Sequence, residues 1–268
     1  MEIRPVLQKR IIEKMNDYMS RRDYAGAERH LLYWLEEALA GRDLRGQLML
    51  RNELIGHYRK TAAKRQALEN VEEAVRLLEA LQFENSISAG TTYVNAATAC
   101  NAFGDYARAA GLFEKARSVY ETQAQTDPQL LGGLYNNMAL NCVSLGKKSR
   151  DQAGNEAEAE IYFEQAFALY DQAMEQMRLV PNGELEQAIT CLNRADALEA
   201  EKGPEAAEKE IEDLLDTASA LLDTPSVPRD GYYAFVCEKC APSFSYYGYF
   251  LEAEELSRRA EELYAAGR

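Results

Sequence analysis

Apolar residues recur along this chain at spacings of three and four with charged positions between them, the pattern of helices that bury one face. The clearest stretch reads Tyr93, Asn95, Ala97, Cys100, then Gly104, Asp105, Tyr106, Ala109, Phe113, Ala116 and Tyr120. It returns as Tyr135, Asn137, Ala139, Cys142, Gly146, Ala159, Phe163, Ala166 and Tyr170, then as Cys191, Asn193, Ala195, Leu198, Gly203, Ala207 and Ile211. A fourth copy holds Cys237, Ala241, Phe244, Gly248, Phe250, Ala253, Ala260 and Tyr264. In the same register the first third contributes Tyr24, Ala27, Leu31 and Trp34, then Tyr58, Ala67, Val71 and Ala74. A small residue opens each second helix at 27, 67, 109, 159, 207 and 253, giving spacings of 40, 42, 50, 48 and 46.

This periodicity predicts an all-α fold, a right-handed α-solenoid of about six helical hairpins with one concave face. Residues 1–268 form a single array, with units near 5–40, 44–82, 86–124, 128–178, 182–223 and 230–266. Gly104, Gly146, Gly203 and Gly248 are expected between the helices of a pair, where a residue of positive φ ends a helix at least steric cost. Pro128, Pro181, Pro225 and Pro228 are expected between units, and Pro242 should kink the last unit's first helix. Extra residues at 147–154 either lengthen a helix or form a loop.

The run aromatic, Asn, small, Gly-acidic-aromatic, Ala, aromatic, Ala, carried by Tyr93, Asn95, Ala97, Gly104-Asp105-Tyr106, Ala109, Phe113 and Ala116, resembles the tetratricopeptide repeat family. Its spacing exceeds the family's usual ~34 residues. It is similar to the longer-helix variants of kinesin light chains and of bacterial peptide-pheromone receptors. Trp34 stands where the pattern has Ala. The resemblance implies that Asn95, Asn137 and Asn193 face a groove in which their amides hold the main chain of an extended peptide or protein segment. Asn in such positions can instead bond the neighbouring helix or cap the turn above it. Asn52, Arg59, Thr91, Val94, Thr98, Asn101, Asn136, Leu140, Leu192 and Asp196 are expected on the same face. The family's clamp for chaperone tails needs Lys where this chain has Thr91, Gly133 and Ile189, so that activity is not implied.

Charge narrows the partners. With 30 Lys and Arg against 44 Asp and Glu the net charge is -14, which argues against nucleic acid and against an anionic membrane. Residues 1–80 carry +2, 81–180 carry -5 and 181–268 carry -11. Arg42, Arg45, Arg51, Arg59, Lys60, Lys64 and Arg65 form either a basic patch for an acidic partner or a solvated helix face.

No apolar leader opens the chain and no run approaches eighteen apolar residues, so a cytoplasmic protein is expected. Five cysteines, an odd number in a long chain, fit reduced thiols. Cys237 and Cys240 form a lone CxxC that reads either as core thiols or as a redox or metal pair. With no second pair and His30 and His57 remote, core thiols are favoured and neither metal nor cofactor is expected. No phosphate-binding glycine loop, nucleophile elbow or zinc-protease helix is present, so no enzyme is expected.

Tyr232, Tyr233, Tyr246, Tyr247 and Tyr249 crowd the last unit with Phe235, Phe244 and Phe250. They either fill the core or form a surface for a partner. The alternative function is accordingly self-association, a homodimer formed through the groove or through this Tyr-rich unit.

Overall fold

The computed structural model describes residues 3–151 and 155–266. These form helices α1 (Gln8–Ser20), α2 (Tyr24–Ala40), α3 (Leu44–Lys60), α4 (Lys64–Leu81), α5 (Ile87–Ala102), α6 (Tyr106–Thr122), α7 (Pro128–Asp151), α8 (Glu156–Met177), α9 (Glu184–Lys202), α10 (Pro204–Leu222), α11 (Gly231–Tyr246) and α12 (Phe250–Ala266). No strand occurs among the described residues. The helices pair in sequence as six hairpins of the helical-repeat, solenoid-type fold.

Two compact units divide them, Met1–Thr126 and Asp127–Arg268. In the first, α2 packs on α3, and both α3 and α4 pack on α5. In the second, α7 and α8 pack on α9, and α9 packs on α11.

The small residue at the start of each second helix does what the repeat requires. Ala27, Ala67, Ala109, Ala159, Ala207 and Ala253 are all buried, so the helices of a pair approach over methyl groups. Ile11, Leu31, Leu50, Leu54 and Tyr58 form a core in the first unit, with Trp34 half-buried at its edge. Leu185, Leu192, Leu198, Ile211, Leu215, Tyr233 and Phe244 belong to the core of the second. Side-chain oxygens start several helices. Asp23 accepts from the Gly26 amide at 2.8 Å and Asp43 from Gly46 at 2.9 Å, each satisfying a donor the helix leaves open.

Gly104, Gly203 and Gly248 occupy the left-handed region between the helices of their pairs, as expected. Gly146 does not. It lies buried inside α7, which continues to Asp151, and a Cβ there would stand 3.1 Å from the Phe163 ring on α8. The glycine therefore buys close approach rather than a turn, and residues 147–151 lengthen the helix; 152–154 lie outside the described residues. Pro128 opens α7, and Pro181, Pro225 and Pro228 lie between hairpins as expected. Pro204 opens α10 within a pair, a place where glycine alone was expected. Pro242 sits inside α11, which runs through it to Tyr246.

The first two hairpins put Arg22 and Ala62 in the left-handed position that later ones give to glycine, at φ 57° and 56°. Ala62 is exposed, so its methyl contributes strain and no packing. Ala62→Gly is expected to raise stability by about 0.5 kcal/mol, and Gly104→Ala to lower it by about 1 kcal/mol, in thermal melts.

Candidate functional site

Polar side chains gather on the first helices of the hairpins, in the same arrangement in each unit. In the first, Asn52 on α3 donates to Thr92 Oγ1 at 2.9 Å and accepts from Asn95 Nδ2 at 3.1 Å, both on α5. In the second, Asn136 Oδ1 on α7 accepts from Asn193 Nδ2 at 3.1 Å and from Thr190 Oγ1 at 3.3 Å, both on α9. Each cluster thus joins one Asn to a Thr and an Asn three residues apart, one helical turn on the next first helix. Thr92 donates to the Ser88 carbonyl four residues back, and Thr190 shares its one proton between Asn136 and the closer Glu186 carbonyl at 2.9 Å, which fixes their rotamers.

The clusters are satisfied within themselves yet retain open valence. Among the described residues Asn95 Oδ1, Asn193 Oδ1 and Asn136 Nδ2 take no hydrogen bond, and all three residues are only half-buried. An acceptor therefore remains open in the first unit, and an acceptor and a donor in the second.

The other expected residues divide. Asn137 Nδ2 donates to the Gly133 carbonyl of its own helix at 2.7 Å, so the amide that joins α7 to α9 is that of Asn136. Thr98 donates to the Asn95 carbonyl at 2.9 Å. Thr91 shares a 2.9 Å hydrogen bond with Tyr120 and so reaches the second helix of its own pair. Val94, Asn101 and Leu140 are half-buried on α5 and α7, Arg59 is exposed at the end of α3, and Leu192 is buried in the core. Asp196 is exposed on α9 and accepts from the Tyr247 hydroxyl at 2.9 Å.

The basic stretch is spread over its hairpin instead of forming one patch. Arg45 stacks over Phe83, Lys60 over Tyr24, Arg51 donates to Asn70 at 2.9 Å and Lys64 to the Phe103 carbonyl at 3.0 Å. Beside Asn52, burial raises the Glu53 carboxyl and lowers His57, favouring the neutral imidazole.

Cys237 and Cys240 are buried in the second unit's core, and burial pushes the Cys240 thiol up to about 12. In that environment the thiol is protonated and packs as a small apolar side chain. The terminal tyrosines divide likewise. Tyr233 is core, whereas Tyr232 donates to Glu186, Tyr246 to Glu199 at 2.7 Å, and the one hydroxyl proton of Tyr247 is shared between Asp196 and Glu199, each oxygen 2.9 Å away. Loss of surrounding water raises the carboxyls of half-buried Glu186 and of Asp196, an exposed residue whose carboxyl is crowded by its neighbours, with the Tyr247 hydrogen bond and the Lys147 charge opposing the rise at Asp196. Sequence reasoning passed over Thr92, Thr190 and these two glutamates. The Thr-x-x-Asn spacing shared by Thr92-Asn95 and Thr190-Asn193 was the available signal.

Among the described residues no helix is long and apolar enough to cross a membrane. No family model matches the sequence, and no curated protein does. Among solved structures the chain is similar to the crystal structure of BtubC (BKLC) from P. vanneervenii, with a TM-score of 0.55 and 17% identity over 92% of this chain and 91% of that one. At that identity the likeness shows the fold, a helical repeat, independently of the periodicity from which it was expected.

Proposed function

We propose that this chain is a non-catalytic interaction module of tetratricopeptide-like repeats that holds an extended peptide or protein segment against its first helices. The supporting observation is the pair of Asn-Thr-Asn clusters, one in each unit, whose half-buried amides keep polar atoms open. A main chain presents alternating donors and acceptors, and such amides pair with it whatever its side chains. Five cysteines, none of them in a disulfide among the described residues, fit the reducing cytoplasm as its place of action.

Selection of random peptides by display on the purified chain supplies the probe. Asn95→Ala with Asn193→Ala is expected to weaken a selected peptide at least tenfold, while each lost amide bond costs about 1 kcal/mol of stability. Asn137→Ala should leave binding unchanged. Equal affinity of the double variant and wild type would contradict the proposal.

Self-association is the second reading, favoured by Tyr246, Phe250 and Leu251, exposed by 67%, 67% and 78%. Light scattering separates the two: a mass near 30.1 kDa at every concentration excludes it.

A further inference from the structure

The second unit holds an open cleft of about 600 Å³ whose lining combines carboxylates, a lysine, a tyrosine and two proline rings: Lys147 of α7, Asp196 and Glu199 of α9, Pro204 of α10, and Pro242 and Tyr246 of α11. Its volume falls in the range of ligand sites, which run roughly from 300 to 1,000 Å³. We propose that this cleft receives an arginine side chain of a basic partner segment, an inference that rests on the first helices being the binding surface.

Charge complementarity comes first. Asp196 and Glu199 stand three residues apart on one face of α9, and among the described residues neither forms an ion pair. Their partners are neutral phenols. Tyr246 donates to Glu199 Oε1, and the single hydroxyl proton of Tyr247, 2.9 Å from both Glu199 Oε2 and Asp196 Oδ1, serves one of them at a time, so the phenols orient the carboxyl groups without supplying a counter-charge. Asp196 Oδ2 accepts no hydrogen bond among the described residues. Of the nearby cations, Lys147 lines the cleft and its charge favours the ionised form of Asp196 without an ion pair among the described residues, and Arg150 is engaged by the Ala200 carbonyl and by Glu156. The surrounding chain, residues 181–268, carries -11.

The shape favours arginine over lysine. A guanidinium offers a planar fork of donors to two adjacent carboxylates and stacks on an aromatic face, whereas an ammonium is a strongly hydrated point charge. Tyr246, which lines the cleft and is largely exposed, supplies such a ring. The rings of Pro204 and Pro242 give the aliphatic stem an apolar wall.

The test uses the full chain and three fluorescein-labelled Gly-Ser peptides carrying three arginines, three lysines or three glutamates, read by polarisation at near-physiological salt. The arginine peptide is expected to bind tightest and the glutamate peptide not at all. Asp196→Asn with Glu199→Gln should weaken the arginine peptide at least tenfold with unchanged circular dichroism. Glu208→Gln with Glu212→Gln removes the same charge from exposed positions on α10 and should change it less than twofold. Equal losses in the two double variants would reveal only the general field of an acidic protein and overturn the proposal, as would failure of the arginine peptide to bind. Display-selected peptides that depend on Asn95 and Asn193 but lack arginine would also sink it, leaving the wider function intact.

Discussion

Phe163→Ala is expected to lower stability by about 3–5 kcal/mol, the largest single-residue effect predicted here. The ring is fully buried on α8 and fills the space that Gly146 leaves on α7. The guanidinium of Arg150 lies over it, 5.0 Å from the ring centre, so the same side chain supports the last turns of the lengthened helix. Truncation opens a cavity between two helices and removes the platform beneath Arg150. Phe163→Leu keeps most of the volume and should cost less than about 1.5 kcal/mol. Urea unfolding followed by circular dichroism measures both. Hydrogen exchange should in addition show residues 147–151 of α7 losing protection in the alanine variant. A loss below about 1 kcal/mol would mean that α7 and α8 are not joined through this ring.

Gly183→Ala should be the next most damaging change, at roughly 2–3 kcal/mol. The backbone conformation is not the reason, since φ is -64° there and any residue adopts it. Space is the reason. A Cβ at this position would stand 1.9 Å from the Met177 carbonyl oxygen and 3.0 Å from that of Val180. Both obstacles are main chain, so no rotamer change relieves them and the turn from α8 into α9 must open. Leu185, two residues on and buried in the second unit's core, would be displaced with it. Gly132→Ala offers the contrast, because its nearest obstacle is the flexible tip of Met177, which can swing aside. Thermal melts of the two variants should differ clearly, and equal melting temperatures would contradict the distinction.

The hairpins were legible in the sequence because each depends on a local rule. Alanine where two helices approach, glycine where φ must be positive and proline where a helix begins all leave marks within a few residues. What was not legible depends on partners far along the chain. Gly146 follows the repeat and has the look of a terminator, yet the deciding fact is a phenyl ring seventeen residues on that needs the missing Cβ. Ala62 turns the chain in the left-handed region without a glycine to announce it. Asn137 aligns with Asn95 and Asn193, but a one-residue change of phase, about 100° around a helix, puts Asn136 in the bonding position. The acidic and tyrosine residues of α9 and α11 are more than forty residues apart, and only the packing of these helices shows that they meet.

Side-chain amides report directly on the central claim, that the Asn clusters of the first helices hold a bound segment. Their NH₂ signals resolve in a nitrogen–proton correlation spectrum and can be assigned by single substitutions. On titration with a display-selected peptide, the signals of Asn52 and Asn95, or those of Asn136 and Asn193, should move together and saturate, while that of Asn137 moves little. Saturable binding that leaves those four signals in place and shifts residues of the second helices or the terminal aromatics would contradict the account.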